Sequence, residues 1–383
     1  MTGPGVSSRS ACPSCLRRSW LIARLAPYIQ RACENRSGRR VPELLRLDGE
    51  DLAAAMAPGR AERILDEIGR ISERSIRQEL ERAGCWACCR HDDHYPDGLG
   101  DAADAPHALI GRGDGFPVAE LTVDRSVTVV GARRATAYGL EVSRRLGGEL
   151  AGAGLAVVSG LALGIDGAVH RGALERGRTV SVLACGPERP YPPSHRGLYS
   201  RLLESGLVVS EMPPGTGVWR WAFPARNRIM ATLSQMTVVV EAAERSGSLI
   251  TAEMAGDAGR EVGAVPGQVT VSPAAGTNEL IASGAALIRD GRDVLDRAFG
   301  VGMSVPEMFG PDPGPAGAPV LGAVERGYET VDRVAGLLGV DAGQTAGELA
   351  RLEVLGYLSC SIAGTWSRTG LKAPYPSRSD AGS

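Results

Sequence analysis

The stretch SVTVVGARRAT, residues 126–136, has the pattern of a buried strand that turns directly into a helix. Its β-branched apolar run ends at Gly131, and Thr136 is a residue type that commonly caps the first turn of a helix. Similar apolar runs recur downstream with helix-length segments between them. Strands of this kind are typical of a parallel sheet covered by helices on both faces, so the sequence predicts an α/β fold. The other predicted strands are LAVVSG (155–160), TVSVLAC (179–185), LVVSE (207–211), TVVVEA (237–242) and EVGAVPG (261–267).

The regions on either side of this α/β core have different patterns. Amphipathic spacing predicts a small helical N-terminal domain over residues 1–90, and the α/β domain follows over 91–300. A Pro/Gly-rich linker is predicted at 301–318. Three amphipathic helical patterns and a hairpin, in the order of a winged helix, are predicted at 319–372. The Pro/Ser-rich tail, 373–383, is predicted to be disordered.

Net charge and composition limit the class of function. The formal net charge is −2, so any nucleic-acid site must depend on a local cluster of basic residues. Hydrophobic residues make up 43% of the chain, but no run approaches the roughly 18 apolar residues of a membrane helix. The N-terminus, MTGPGVSSRSACPSCLRRSW, lacks the apolar run of a secretory signal. These features predict a soluble, cytoplasmic protein without a membrane partner.

The cysteines suggest a structural metal site. The chain has eight cysteines, which is sparse for a disulfide scaffold and ordinary for a reduced protein. Two C-x-x-C pairs have the spacing of a tetrahedral zinc site divided between distant segments, and zinc is the one cofactor that the sequence suggests. The alternative is that the thiols pack as small hydrophobic groups. The predicted ligands are Cys12, Cys15, Cys85 and Cys88, with Cys89 and His91 adjacent.

The predicted strands end in loops that suit phosphate groups. Glycine allows close backbone approach, and a helix N-terminus offers free N–H groups to an anion. Arg133 and Arg134 add charge after the first strand, and Arg226 and Arg228 lie at a predicted helix start, where two arginines favour a bound anion. Such loops meet at the carboxyl edge of a parallel sheet. The candidate phosphate-binding residues are Gly131, Arg133, Arg134, Thr136, Ser159, Gly160, Gly164, Arg226, Asn227, Arg228, Ser246, Gly247, Ser248, Gly276 and Thr277.

Four further polar residues are predicted to order this site. Asp166 and His170 lie four residues apart on one face of a predicted helix, where they can hydrogen-bond to each other. An acid/base pair is the alternative, but no nucleophile or metal ligand is spaced to work with it, so no catalysis is predicted. The other two residues, Glu211 and Glu241, stand at the ends of predicted strands.

Taken in chain order, these loops resemble the signature of the DprA/Smf family. The resemblance implies an extended Rossmann-like parallel sheet, often homodimeric, with a SAM- or HhH-like helical N-terminal domain and a winged-helix-like C-terminal domain. It also implies a protein that binds and protects single-stranded DNA and helps to load a RecA-type recombinase during natural transformation. By position, the family's pocket would include Arg133, Ser159, Gly160, Arg226, Asn227 and Arg228. The matching segments, within residues 85–293, are GARRAT, SGLALGIDGAVH, Tyr191-Pro192, Ser210-Glu211, FPARNR, VVEAAERSGSLITA, Pro266-Gly267 and GTNELIASGA.

Two departures from the family pattern and two other functions stay open. Ala132 replaces a common serine, which removes one hydroxyl donor, and Val169 replaces a usual alanine. The first alternative function is that of the LOG group, which cleaves the base from a nucleoside monophosphate in a similar pocket. That group carries a contiguous PGGxGTxxE loop, whereas here the Pro-Gly and Gly-Thr pairs are separated. The second is a nucleotide-sensing domain that binds a small ligand in the same pocket.

Overall fold

The computed structural model describes residues 11–35, 41–100, 102–300, 303–304, 309–361 and 364–374. The chain divides into two compact units, the first ending at residue 305 and the second beginning at residue 306. Most of the tail that was predicted to be disordered, and part of the predicted linker, lie outside the described residues.

The first unit is built on one large sheet. Among the described residues the sheet has nine strands in the order β1-β2-β6-β5-β4-β3-β7-β8-β9. The neighbouring strands β6, β5, β4, β3, β7, β8 and β9 run parallel to one another. Strand β2 is antiparallel to both of its neighbours, β1 and β6. The predicted parallel α/β sheet is therefore confirmed. The strands are β1 (Trp86–Cys89), β2 (Ala108–Arg112), β3 (Ser126–Val130), β4 (Ala156–Ser159), β5 (Thr179–Val182), β6 (Leu207–Ser210), β7 (Met236–Val239), β8 (Glu261–Ala264) and β9 (Ala286–Leu287).

Both faces of the central strands are buried, which explains their nearly continuous apolar sequences. In β3, Val127 and Val129 pack into one hydrophobic cluster, while Val130 packs into another on the opposite face. The hydroxyl of Thr128 points to that second face, where it donates to the carbonyl oxygen of Met230 at 2.8 Å. Successive side chains of a strand point to opposite faces, so a strand covered on both sides shows no polar alternation.

Helices cover the sheet, and several begin at a side-chain cap. Thr136 accepts a hydrogen bond from the Gly139 N–H, as predicted for the residue at this helix start. In the described part of the chain, no helix has the length and apolar character needed to cross a membrane. The helices of this unit are α1 (Pro13–Asn35), α2 (Val41–Leu45), α3 (Gly49–Met56), α4 (Ala61–Gly69), α5 (Glu73–Arg82), α6 (Asp97–Gly100), α7 (Ala137–Gly152), α8 (Ile165–Ala173), α9 (Arg196–Ser205), α10 (Ala222–Leu233), α11 (Gly247–Asp257), α12 (Ala275–Ala282) and α13 (Gly291–Ala298).

The N-terminal helices share their core with the sheet unit, which differs from the separate domain predicted over residues 1–90. Apolar residues of α1, α2, α3 and α4 share one hydrophobic cluster with Ala222 and Ala225 of α10. The indole N–H of Trp221 donates to the carbonyl oxygen of Ala26 at 3.1 Å. Strand β1, at the end of the predicted helical domain, belongs to the sheet. A short amphipathic bundle buries its apolar face only against a partner, and here the sheet unit provides that partner.

The described residues of the second unit form three helices followed by a hairpin. The helices are α14 (Gly314–Glu325), α15 (Val331–Leu338) and α16 (Ala342–Val354), and the antiparallel hairpin pairs β10 (Leu358–Cys360) with β11 (Trp366–Arg368). The predicted linker, 301–318, extends too far, because α14 begins inside it. Proline is tolerated in the first turn of a helix, so Pro315 does not prevent this start. The winged-helix assignment stays a prediction.

Glycines allow α7 and α8 to approach closely. A Cβ atom built on Gly172 would lie 1.8 Å from the carbonyl oxygen of Arg144, and one on Gly147 would lie 2.3 Å from that of Val169. Val169 itself is fully buried in the hydrophobic cluster between these helices and the sheet, so its departure from the family pattern concerns packing. Both close contacts are with backbone, which cannot move aside as a flexible side chain can.

We expect Gly172→Ala to destabilise the protein by about 1–3 kcal/mol, because the added methyl group forces α7 and α8 apart. The matched control is Gly256→Ala in α11, where the added Cβ meets no atom within 4 Å. The control should be neutral or stabilising by up to about 1 kcal/mol, since alanine is the better helix former. Urea unfolding of both variants measures the difference, and equal midpoints would contradict the packing argument.

Candidate functional site

A cavity of about 290 Å³ opens at the carboxyl edge of the sheet, next to β3. After β3 the chain continues to β4 on one side of it, and after β7 the chain continues to β8 on the other side. The loops that follow β3 and β7 therefore diverge at this edge. Ligands of open α/β sheets bind at such a switch in strand order. The lining residues are Val130, Gly131, Arg133, Ala162, Asp166, Phe223, Pro224, Arg226, Asn227, Met230, Ser246, Gly247, Ser248, Ile250 and Thr251.

About half of the predicted phosphate-binding residues line this cavity. Those that do are Gly131, Arg133, Arg226, Asn227, Ser246, Gly247 and Ser248. Those placed outside its lining are Arg134, Thr136, Ser159, Gly160, Gly164, Arg228, Gly276 and Thr277. Most of the second group supports the loops that form the cavity.

Arg133 is the exposed cation of the cavity. Its guanidinium lies 5.0 Å from the centre of the Phe223 ring, in a cation–π contact. Within the described parts of the chain it forms no ion pair, and Glu241, in the loop after β7, is engaged by Thr136. The charge of Arg133 is therefore available to an anion in the cavity.

Arg226 is the buried cation of the cavity. Its guanidinium donates to the carbonyl oxygen of Gly160 at 2.8 Å and to that of Val182. A Cβ at position 160 would lie 2.1 Å from the Arg226 Nη1, so a larger residue there would displace the buried guanidinium. Burial lowers the pKa of Arg226 to about 10, against the opposing effect of Asp166, so the side chain stays charged at neutral pH. Gly160 thus acts by making room for this cation.

Asp166 orders the loop after β4, but it does not pair with His170 as predicted. Its carboxylate accepts hydrogen bonds from the Gly160 N–H at 3.1 Å and the Ala162 N–H at 3.3 Å. Burial raises its pKa, while the nearby Arg226 opposes that shift. The prediction of a pair was wrong because Asp166, in the first turn of α8, reaches back to its own loop.

His170 lies in the core between α8 and the sheet. Its Nδ1 is 2.8 Å from the Thr179 Oγ1, and the residue is fully buried. Burial, with the nearby charge of His195, lowers the pKa of His170 to about 3. The imidazole is therefore neutral at physiological pH and has a packing role that supports the loop after β4.

Thr136 and Glu241 tie the loop after β3 to the loop after β7. The Glu241 carboxylate accepts from the Thr136 N–H at 2.9 Å and from the Thr136 hydroxyl. The same hydroxyl accepts from the Gly139 N–H at 3.1 Å. Because these groups satisfy one another, Thr136 is not free to contact a phosphate, and the Glu241 carboxylate links the two loops.

Arg228 is buried in an ion pair, which corrects its predicted place beside Arg226. Its Nη2 lies 2.6 Å from the Glu211 Oε2, and the two side chains are only 3% and 6% exposed. Helix α10 begins at Ala222, so both arginines lie inside it and not at its N-terminus. Residues two apart on a helix point in nearly opposite directions, so Arg226 and Arg228 cannot line one cavity.

The remaining predicted residues brace the loops. The Ser159 hydroxyl donates to the Val129 carbonyl oxygen at 2.7 Å, and the Thr277 hydroxyl donates to that of Ala274 at 3.1 Å. Gly164 has a φ of 76° and would place a Cβ 2.3 Å from the Ala132 carbonyl oxygen. The Gly276 N–H donates to the Ala242 carbonyl oxygen at 2.8 Å. Arg134 is exposed outside the cavity.

The aromatic side of the cavity was missed from the sequence. The Phe223 and Tyr191 rings lie 5.8 Å apart between centroids and are tilted by 48°. Tyr191 is 38% exposed. The predicted phosphate site uses the arginines of FPARNR and not its phenylalanine. The missed signal was an aromatic residue directly beside a basic cluster, which is typical of nucleic-acid sites.

Comparisons with known proteins agree with this geometry. The family model for DNA recombination-mediator protein A matches residues 86–299. A putative DNA processing protein DprA of Mycobacterium tuberculosis is 42% identical over 247 residues, which cover 62% of each chain, so the match spans less than two thirds of that relative. The Smf protein of Escherichia coli is 33% identical over 305 residues, or 75% of this chain and 80% of that one.

A solved structure leads to the same family. The crystal structure of DNA processing protein A from Streptococcus pneumoniae matches with a TM-score of 0.59 and 32% identity, covering 74% of this chain and 96% of that one. The Rossmann-like fold implied by the resemblance is thereby confirmed. The family model covers the whole sheet, from β1 to the end of α13. This chain belongs to the DprA/Smf family of DNA recombination-mediator proteins.

Proposed function

We propose that this chain binds single-stranded DNA at the cavity beside β3, by contacts to phosphate and to unpaired bases. Its membership of a family described as DNA recombination mediators supports the proposal. The observation that carries it is Arg133, which is exposed, forms no ion pair with any described residue and is held over the Phe223 ring. A cation beside an accessible aromatic ring matches the two parts of a nucleotide, an anionic phosphate and a flat base.

Three features of the cavity suit a phosphate. Arg133 presents an exposed guanidinium, and Arg226 adds a buried positive charge to the lining of the cavity. The N-terminus of α11 forms one wall, where Ser246 accepts from the Ser248 N–H. Free N–H groups and the helix dipole at such an end favour an anion. A phosphate in the cavity would meet all three groups together.

The size and shape of the site favour a single strand over a duplex. A cavity of about 290 Å³ admits one nucleotide, not a paired helix. The ring of Phe223 can stack on a base only if that base is unpaired and turned outward. Contacts to phosphate and stacking carry little sequence information, so base preference should be weak.

Binding without catalysis is part of the proposal. The candidate acid and base, Asp166 and His170, are buried and engaged with Gly160 and Thr179 respectively. An enzyme that cleaves nucleoside monophosphates needs an acid or base within reach of the substrate. Incubation with each nucleoside monophosphate should release no free base, and any release that Asp166→Asn abolishes would overturn this part.

The proposal extends to a recombinase. A protein that holds single strands by their backbone can present them to a RecA-type filament, and the family description, DNA recombination-mediator protein A, is compatible with such a role. Adding the chain to single strands coated with a single-strand-binding protein should shorten the lag before recombinase ATPase activity. An unchanged lag, with DNA binding intact, would remove the recombinase from the proposal.

The direct experiment is a fluorescence titration of labelled oligonucleotides at several salt concentrations. We expect tighter binding of single strands than of the matching duplex at every salt concentration, and an affinity that falls as salt rises because phosphate contacts release counterions. Equal affinity for both forms would overturn the proposal. A mixed-sequence strand and a homopolymer of the same length should bind within a few-fold of each other.

We expect Phe223→Leu to weaken single-strand binding by about 1–3 kcal/mol, the usual contribution of one stacked base. Leucine keeps the apolar contacts of this half-buried ring with the N-terminal helices but removes the stacking face. The control is an oligonucleotide with abasic sites, which should bind the wild type and the variant equally. If the variant loses as much affinity for the abasic strand, Phe223 acts through stability and not through stacking.

A further inference from the structure

We propose that Cys12, Cys15, Cys89 and His91 bind one structural zinc ion. The sulfur and nitrogen atoms that these residues offer all lie within 4.8 Å of one another. The site lies outside the cavity that binds DNA in the proposed function, and it differs from the ligand set predicted from the sequence. Three cysteines and one histidine are a common tetrahedral zinc set.

The local contacts hold these side chains together. His91 Nδ1 is 3.5 Å from Cys12 Sγ and 3.4 Å from Cys15 Sγ. The backbone N–H of Cys12 donates to Cys89 Sγ at 3.3 Å, across 77 positions of sequence. Cys12 and Cys15 come from the start of α1, and Cys89 ends β1. A metal here would join the first helix to the sheet.

The pleat of β1 explains why Cys88 is not a ligand. Cys88 packs into the cluster on one face of the sheet, whereas Cys89 packs with Cys15 on the other. Cys85 points to the same side as Cys89, but four strand positions separate them by roughly 13 Å. Its sulfur lies 3.6 Å from the Ala83 carbonyl oxygen instead. The spacing C-x-x-C, which suggested both residues, is therefore coincidental in the second pair.

The donor set selects the metal. Thiolates and imidazole suit zinc, whereas magnesium and calcium need oxygen ligands. Iron–sulfur clusters are usually held by four cysteines, and here the fourth ligand is His91. The three cysteines form no disulfide. Each therefore keeps a thiol that can ionise and coordinate the ion.

The surrounding charge supplies an independent argument. Cys15 and His91 line a second cavity, of about 420 Å³, together with Arg17, Arg18 and Arg90. Among the described residues these arginines form no ion pair with a carboxylate, and their side chains donate to backbone carbonyl oxygens. Three thiolates, a neutral imidazole and Zn²⁺ have a formal charge of about −1. An anionic centre would offset the repulsion among these cations.

The first measurement is the metal content of the full chain, purified without chelator. We expect about one zinc per chain. Loss of a residue that only supports a metal ligand lowers metal affinity by roughly 10–100-fold. His91→Ala, at an exposed position, should lower zinc affinity by more than this, because it removes a ligand. The matched controls, Cys85→Ser and Cys88→Ser, should keep the full zinc content. Absence of zinc from the wild type, or equal loss from the controls, would overturn the proposal.

A second measurement covers the case in which a cysteine variant fails to fold. Cobalt replaces zinc in sites of this kind and reports its thiolate ligands by charge-transfer absorption. His91→Cys should retain the metal and strengthen that absorption, since it adds a fourth thiolate. The chelated wild type should also unfold at a lower temperature than the zinc-loaded protein, because metal binding stabilises the folded state. Unchanged absorption in His91→Cys would exclude His91 as a ligand.

Discussion

Arg228→Ala is expected to lower the free energy of unfolding by about 3–5 kcal/mol, because it leaves the buried carboxylate of Glu211 without its partner. The pair is 2.6 Å apart, and both side chains are almost completely shielded from water. A charge in such a site cannot recover its hydration. Glu211→Gln should have an effect in the same direction, since it leaves the guanidinium of Arg228 uncompensated. Urea unfolding of the two single variants gives both values.

The double variant Arg228→Met with Glu211→Leu is the control for this prediction. Replacing both members of a buried pair by apolar groups of similar volume is often neutral or stabilising. The double variant should therefore be more stable than either single variant. Affinity for single-stranded DNA, expressed per folded molecule, should stay unchanged throughout. A stable Arg228→Ala protein that binds DNA weakly would restore Arg228 to the phosphate site and overturn the assignment of a structural role.

The central sheet could be predicted because burial on both faces makes each of its strands largely apolar, and this pattern is visible in each strand separately. Strand β4 reads AVVS, with Val157 and Val158 in clusters on opposite faces, so the run is apolar throughout. The prediction that Thr136 begins a helix was equally local, since a helix cap depends only on the first turn of that helix. Strands β1 and β2 gave no such signal. Their sequences, WACC and ALIGR, contain a single β-branched residue between them, and both strands are antiparallel additions to the edge of a parallel sheet.

The site was harder to predict because it depends on which face of each element meets which neighbour. Arg226 and Arg228 were predicted to share one pocket, because the sequence does not show that Arg226 faces Gly160 and the cavity whereas Arg228 faces Glu211. The same limit applies to the metal ligands. Once β1 is known, alternation separates Cys88 from Cys89, but the spacing of the cysteines does not reveal that a strand is present. The sequence pattern identifies the types of residue at a site, but tertiary packing decides which of these residues contact one another.

Arg133→Ala is expected to weaken binding of single-stranded DNA by about 1.5–3 kcal/mol, the value of a hydrogen bond to a charged group. That is a loss of roughly 10–150-fold in affinity. The slope of log affinity against log salt should become shallower by about 0.7, the change expected when one phosphate contact to a single strand is lost. Stability should change by at most about 1 kcal/mol, because Arg133 is exposed and its described contact is with the Phe223 ring.

Arg134→Ala is the matched control, since Arg134 is the next residue, carries the same charge and is exposed outside the cavity. If general positive charge on this loop attracts DNA, the two variants should lose affinity equally. If the cavity holds a phosphate, only Arg133→Ala should change the salt slope by the full amount. Arg133→Lys should fall between the wild type and Arg133→Ala, because lysine keeps the charge but lacks the planar, two-pronged geometry that grips a phosphate. Titrations of all three variants at several salt concentrations therefore separate a built phosphate site from nonspecific attraction, and identical slopes for Arg133→Ala and Arg134→Ala would place the DNA elsewhere on the protein.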